Sequence, residues 1–282
     1  MPSSTSNDNG RALEYAVSYQ LELNQGTLSQ TAKRHQNQYR EYFEALEPDL
    51  RSDFFEASER IARWVQGSLS IANSKIDKSL DSDLGTADVM ITQGKFIMNL
   101  SLKHNHLALK HQRPYSLAQQ SGFIRHSPQD VQHRNRMQIV EGRYRKASTG
   151  LSKYTDNDPL KFKMLGDVCD ACSKSINEWS STQPGYAKRL FEFLVSNNCY
   201  QVVVRTRKKV EIVVYDYNSV TVPNSVFAES NGHYVQLYFD NGFTLSLRLH
   251  TASSKISQAP SQLSLKFDTK KLEGSVETYK LP

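Results

Sequence analysis

The sequence predicts an α/β chain of the α+β kind: a mixed sheet flanked by helices, followed by an antiparallel β-rich module at the C-terminal end. Three observations carry this expectation. Apolar positions recur at helical spacing through roughly the first 70 residues, the period drops to two between Ala87 and Lys103, and the final third alternates strongly around a "DNG" turn at Asp240–Gly242. At 282 residues, 38% hydrophobic and 23% charged, the chain has ample core and an ordinary globular composition. No run approaches the ~18 apolar residues of a membrane span. The start, "MPSSTSNDNG", lacks the apolar core of a secretory signal. The expectation is a cytoplasmic protein without a membrane partner.

Taken in order, residues 1–9 are polar and expected to form a disordered tail. In "GRALEYAVSYQLEL" Ala12, Leu13, Ala16, Val17 and Leu21 share one helical face, so a first helix is expected from near Gly10. "LSQTAKRHQNQYREYFEALE" and "LRSDFFEASERIARWVQGSL" read as further amphipathic helices. The second has a Ser-Asp start signal and apolar positions Phe54, Phe55, Ile61 and Trp64. "ADVMI" and "KFIMNLSLK" then form two strands joined by "TQG". Alternation in the second strand puts Phe96, Met98, Leu100 and Leu102 on one face, and Ile97, Asn99, Ser101 and Lys103 on the other. Residues 104–165 are polar and mostly helical, with loops expected at Pro114 and Pro128, and a helix broken near Pro184 fills about 167–197. "YQVVVRTRKKVEIVVYDY", "YVQLYFDNGFTLSLRLHTA" and "QLSLKFDTKK" supply the strands of the β-rich module. A linear division follows: a tail (1–9), a helix-and-hairpin core with a basic segment (10–165), and a helix with the β-rich module (166–282).

Charge narrows the class of partner. The net charge is +6, and from Lys103 to Lys146 there are nine Lys/Arg against two acids, Asp130 and Glu141. A solvated face usually mixes both signs, so this segment points to a phosphate-bearing partner. Three cysteines, Cys169, Cys172 and Cys199, make no disulfide framework. The lone C-x-x-C of "DVCDAC" lacks the second pair of a zinc ribbon and reads as two helical thiols.

The chemistry is concentrated in "DVMITQGKFIMNLSLKHNHLALKHQR", Asp88 to Arg113. An acid on the first strand and Lys103 on the second, with Ser101 two residues before it, is a layout suited to metal-dependent phosphodiester hydrolysis. The acid holds Mg²⁺ and the lysine supplies a fixed cation beside the developing charge. His104, Asn105 and His106, beside Lys110 and Arg113, offer donors to phosphates and base edges. A zinc site from His104, His106, His111 and His126 is the weaker alternative, since no carboxylate or cysteine stands at regular spacing. Arg134 and Arg136 extend the phosphate surface. Arg205, Arg207 and Lys209, with Arg248, His250 and Lys255, form either a second DNA-facing surface or a basic edge that discourages strand pairing.

The hairpin resembles the PD-(D/E)-x-K nucleases, and "SLKHNHLALKHQR", "NDNGRALEYA", "FTLSLRLHTASSKI" and "LSLKFD" are similar to stretches of type II restriction endonucleases of the HaeIII-like group. The resemblance runs from about residue 8 to 268. It implies a restriction-endonuclease-like core, double-stranded DNA as substrate, Mg²⁺ as cofactor, cleavage at a short palindrome such as GGCC, and a cognate DNA methyltransferase as functional partner. It implies Asp88 as metal ligand, Lys103 and Ser101 at the reacting centre, and either a homodimer or sequential nicking by a monomer. One departure stands out: Ser101 occupies the position of the second carboxylate. Glu14 resembles a helix-borne glutamate that could replace it, with Glu56 and Glu59 in reserve. The rivals are a non-catalytic DNA-binding protein, a repair or recombination nuclease of the same fold, and an RNA-binding module, which would want aromatic stacking motifs that the linear sequence does not display.

Overall fold

The computed structural model describes residues 6–24, 26–69, 74–77, 88–107, 109, 112–195, 199–206, 208–259, 261–274 and 276–282. They form an α+β fold with a seven-stranded mixed sheet and a separate four-stranded antiparallel sheet. No helix among the described residues is long and apolar enough to cross a membrane.

The chain divides into two compact units, and the division is not linear. One unit comprises Met1–Leu107, Val195–Val220 and Val276–Pro282; the other comprises Ala108–Leu194 and Thr221–Ser275. The expected break at 165/166 is therefore corrected. The second unit is formed by two excursions out of the first, one leaving after residue 107 and one after residue 220.

The first unit holds helices α1 (Ser6–Leu23), α2 (Gln30–Glu44) and α3 (Pro48–Ser68) and strands β1 (Thr27–Leu28), β2 (Lys75–Asp77), β3 (Val89–Gln93), β4 (Phe96–His104), β5 (Cys199–Arg205), β6 (Glu211–Asp216) and β11 (Glu277–Leu281). They pair in the order β1-β2-β3-β4-β5-β6-β11, with β1/β2 and β4/β5 parallel. The helical face of α1 is as expected: Ala12, Leu13, Ala16, Val17 and Leu21 are all buried, in one core cluster with Ile91, Leu100, Val202 and Val214 of the sheet and Phe54 and Ile61 of α3. α1 begins at Ser6, so residues 6–9 are helical and not a tail; residues 1–5 lie outside the described residues. α3 starts at Pro48, whose missing N–H suits a first helical turn, and the expected Ser52-Asp53 start lies inside the helix. Phe55 is exposed, as is Phe96 at the tip of the hairpin.

That hairpin closes through two residues, Gly94 and Lys95, with Gly94 at φ +58°, a conformation glycine adopts without steric cost. The register pairs Val89 with Leu100 and Met90 with Asn99. It turns Leu100 and Leu102 into the core and Ser101 and Lys103 to the opposite face. β5 and β6, expected in the β-rich module, instead extend the hairpin's sheet, because β5 lies parallel to β4 over Asn99–His104.

The second unit holds α4 (Leu117–Gln120), α5 (Pro128–Ala147), α6 (Asp158–Thr182), α7 (Tyr186–Val195) and strands β7 (Val226–Asn231), β8 (Tyr234–Phe239), β9 (Thr244–Thr251) and β10 (Leu265–Glu273). Pro128 is the first residue of α5, capped by Ser127, and not a loop. The break between α6 and α7 falls at 183–185, as Pro184 leads one to expect. Strand order is β10-β9-β8-β7, and α6 packs on the face formed by Val226, Ala228, Val235, Leu237 and Leu247. Cys169 and Cys172 lie buried on α6, and burial pushes the Cys172 thiol up to about 12.

Candidate active site and nucleic-acid contacts

Asp88 immediately precedes β3, and its amide donates to the Leu100 carbonyl at 2.7 Å, so the hairpin itself fixes its backbone. Its carboxylate receives the Leu102 amide at 2.7 Å, Lys103 Nζ at 3.3 Å and Ser101 Oγ at 3.5 Å, all on Oδ2. Oδ1 has no hydrogen-bond partner among the described residues. Ser101 is buried, whereas the Asp88 and Lys103 side chains retain 24% and 18% exposure, enough to meet a ligand from solvent. Three of the four residues expected at the reacting centre therefore meet around one oxygen.

The fourth, Glu14, lines the same small cavity as Asp88. That cavity also receives Asp77 from β2 and His35 from α2. Neither was anticipated: β2 spans three residues, too few to show a period-two pattern. Asp77 is held by Ser29 Oγ at 2.5 Å and lies 3.3 Å from Lys75. Glu56 and Glu59, the reserve acids, are exposed on α3 and do not line the cavity, and Glu56 pairs with Arg60 at 3.1 Å. Among the described residues no cluster of three or more His, Cys, Asp or Glu side chains is close enough to hold a metal ion. The donors around the cavity are nonetheless carboxylate oxygens, the type a hard cation takes. Mg²⁺ commonly uses only one or two carboxylates, completing its shell with water and substrate phosphate. Asp88 and Glu14 are compatible with that mode.

The expected nucleic-acid contacts divide sharply. His104 Nε2 lies 3.0 Å from Thr206 Oγ1 and 2.8 Å from Asn105 Nδ2, and its ring meets Phe54 edge-on at 4.8 Å. Burial, with His106 nearby, holds its pKa below the ordinary value, so the ring is neutral at pH 7. Asn105 adopts φ +60° and accepts the Thr206 amide, pinning the ends of β4 and β5 together. Both residues serve the fold. His106 and Arg113 are exposed; Lys110 and Arg207 lie outside the described residues, as does His111.

Two expected phosphate contacts are tied up internally. Arg134 Nε donates to both oxygens of Asp130, at 3.0 and 2.9 Å, and Asp130 is fully buried. Arg136 pairs with Glu178 and donates to Ser175 Oγ at 2.9 Å. Arg145 is likewise held by Glu141 and by the Ser257 and Ser261 carbonyls. In the segment from Lys103 to Lys146, Arg113, Arg125, Arg143 and Lys146 are exposed without an ion pair among the described residues. Arg205 ends β5 and pairs with Glu211 at 3.1 Å, so the alternating basic face expected through Lys209 stops there. Arg248 and His250 both face Asp268, at 3.8 and 2.6 Å. No family model matches the chain, and neither the curated proteins nor the solved structures include a significant match.

Proposed function

We propose that the chain is a Mg²⁺-dependent endonuclease acting on double-stranded DNA at a short palindrome, GGCC being the first to test, within a cytoplasmic restriction–modification pair whose partner is a DNA methyltransferase. The observation that carries this reading is the convergence of Lys103 and Ser101 on Asp88 Oδ2 beside the cavity that Glu14 lines. Mg²⁺, held by Asp88 and Glu14, would polarise the scissile phosphate and acidify an attacking water. Lys103 would give up its contact with Asp88 to meet the phosphate oxygen that gains charge, a cation already placed before the reaction begins. Ser101 would orient the Asp88 carboxylate, and the Leu102 amide would keep it from rotating.

A second reading, a DNA-binding protein without catalysis, is favoured by the lack of a three-ligand metal cluster among the described residues. Digestion of a sequenced duplex in Mg²⁺, with mapping of the ends, separates them. Discrete fragments that vanish in the Asp88→Asn variant support the endonuclease. A structure-dependent smear favours a repair-type nuclease, and binding with no cutting by pure protein sinks the catalytic reading.

A further inference from the structure

The outer face of the four-stranded sheet has a composition that its linear sequence hides. Period-two alternation turns Phe227 of β7, Tyr234, Gln236 and Tyr238 of β8, and Arg248 of β9 away from the face that packs on α6. Phe227 and Tyr238 are direct cross-strand partners, stacked at 6.3 Å and 25°, yet they remain 57% and 41% exposed. A pair serving only the sheet would gain most by covering its rings. Four residues along β8, about 13 Å away at the usual strand rise, Tyr234 lies 4.5 Å from His233, which in turn contacts the exposed Phe162 at 5.4 Å. Lys161 Nζ sits 4.6 Å over the Phe162 ring. Burial and the nearby Arg248 keep the His233 pKa below its ordinary value, so that ring is an uncharged aromatic at neutral pH.

Most of the charge on this face lies on β9 and β10, where Arg248 and Lys266 share Asp268, at 3.8 and 3.9 Å, and Lys271 pairs with Glu273 at 2.6 Å. β7 and β8 carry the aromatics and one acid, Glu229, opposite Gln236. Lys270 is the unpaired residue of a bulge between Thr269 and Lys271 and is exposed. Aromatic positions about 13 Å apart with an amide between them, beside a strip of lysines, are what an unpaired nucleic-acid strand requires. Bases stack on rings and phosphates run along cations. A duplex keeps its bases stacked on one another and offers such rings no base face to stack on.

We propose that this sheet face binds single-stranded nucleic acid, with bases stacking on Tyr238/Phe227 and on Tyr234, Gln236 reaching a base edge, and the exposed Lys270 contacting phosphate. The proposal does not depend on the Asp88 site. The test is fluorescence anisotropy of a labelled, non-self-complementary single-stranded DNA 12-mer with the full chain in EDTA, alongside a duplex of the same sequence. The double variant Phe227→Ala/Tyr238→Ala should lose about tenfold or more in single-strand affinity, with duplex affinity unchanged, and Tyr238→Phe should bind as wild type. Because both rings already face solvent, the variant should keep its urea midpoint. Ultraviolet cross-linking of oligo-dT to the wild-type chain provides a check independent of mutation, with adducts expected on peptides containing Phe227, Tyr234 or Tyr238. Unchanged single-strand affinity in the double variant, equal losses for single strand and duplex, or adducts confined to other peptides would overturn the proposal.

Discussion

Two acid–cation pairs carry the contrast between the units. Asp88 and Lys103 meet through one carboxylate oxygen at 3.3 Å, and both keep part of their surface in solvent. Asp130 is wholly buried, with both oxygens engaged by Arg134 and one also taking the His126 amide at 2.9 Å. Burial pushes the Asp130 pKa upward, but the His126 amide and Arg134 outweigh it, so the carboxyl sits below its ordinary range. The first pair has coordination to spare and the second has none. A carboxylate with an unengaged oxygen can still accept a ligand, whereas a saturated one can only hold the fold together.

The largest effect expected from this contrast is catalytic. Asp88→Asn and Lys103→Ala should each lower Mg²⁺-dependent cleavage by about 10²–10⁴ while leaving the urea midpoint near wild type. Wild-type rates in both, from preparations free of contaminating nuclease, would remove the assignment. Glu14→Gln tests the second carboxylate, and if it cuts normally Asp77 is the next acid on the cavity.

Asp130→Ala should behave in the opposite way. It strands Arg134 and the His126 amide and should cost about 3 kcal/mol of stability, read from urea unfolding, with cleavage per folded molecule retained. Arg134→Glu, which looks from sequence like a clean probe of phosphate binding, would set two acids against each other in that buried site and report on folding instead.

One helical turn along, His133 gives a comparable effect through pH. It is fully buried, with Nε2 2.6 Å from the Pro114 carbonyl and Nδ1 2.9 Å from Ser175 Oγ, and burial lowers its pKa to about 4. An unfolded histidine takes up its proton near pH 6.5, so stability is full above that value. It falls between about pH 6.5 and 4, by about 3 kcal/mol in total. Urea midpoints measured across that window should show the decline, and His133→Phe should flatten it.

The smallest effect concerns salt. Nine cations between Lys103 and Lys146 suggest a steep dependence, but only four of the described ones are exposed and without an ion pair. With four phosphates neutralised, duplex affinity should drop about 10²-fold between 50 and 200 mM salt. A loss nearer 10⁴-fold would mean that the paired arginines also reach phosphate.

The same contrast marks what could be read without coordinates. The α1 core face and the β3–β4 hairpin are written in local periodicity, so Ala12 to Leu21 and the shared face of Ser101 and Lys103 were legible. The pairing of Arg136 with Glu178 was not, because its partner lies 42 residues away on another helix. Asp77 was hidden by the brevity of β2, and β5 and β6 by a rule of thumb, that successive strands belong together, which two long excursions break. Phe227, Tyr234 and Tyr238 form no motif in the chain and become neighbours only through the β7–β8 register.

Those excursions also bear on how the molecule is made. β5 must find β4 across more than ninety residues, and Arg60 of α3 donates to the Leu281 carbonyl and, at 2.6 Å, to that of Pro282, 222 residues further along. A chain emerging N-terminus first can form α1–α3 and the hairpin early. The sheet carrying Asp88 and Lys103 gains its last strand only when residues 277–281 leave the ribosome. Pairings of such sequence separation form slowly. Until then β6 presents an unpaired edge, open to pairing with another nascent chain.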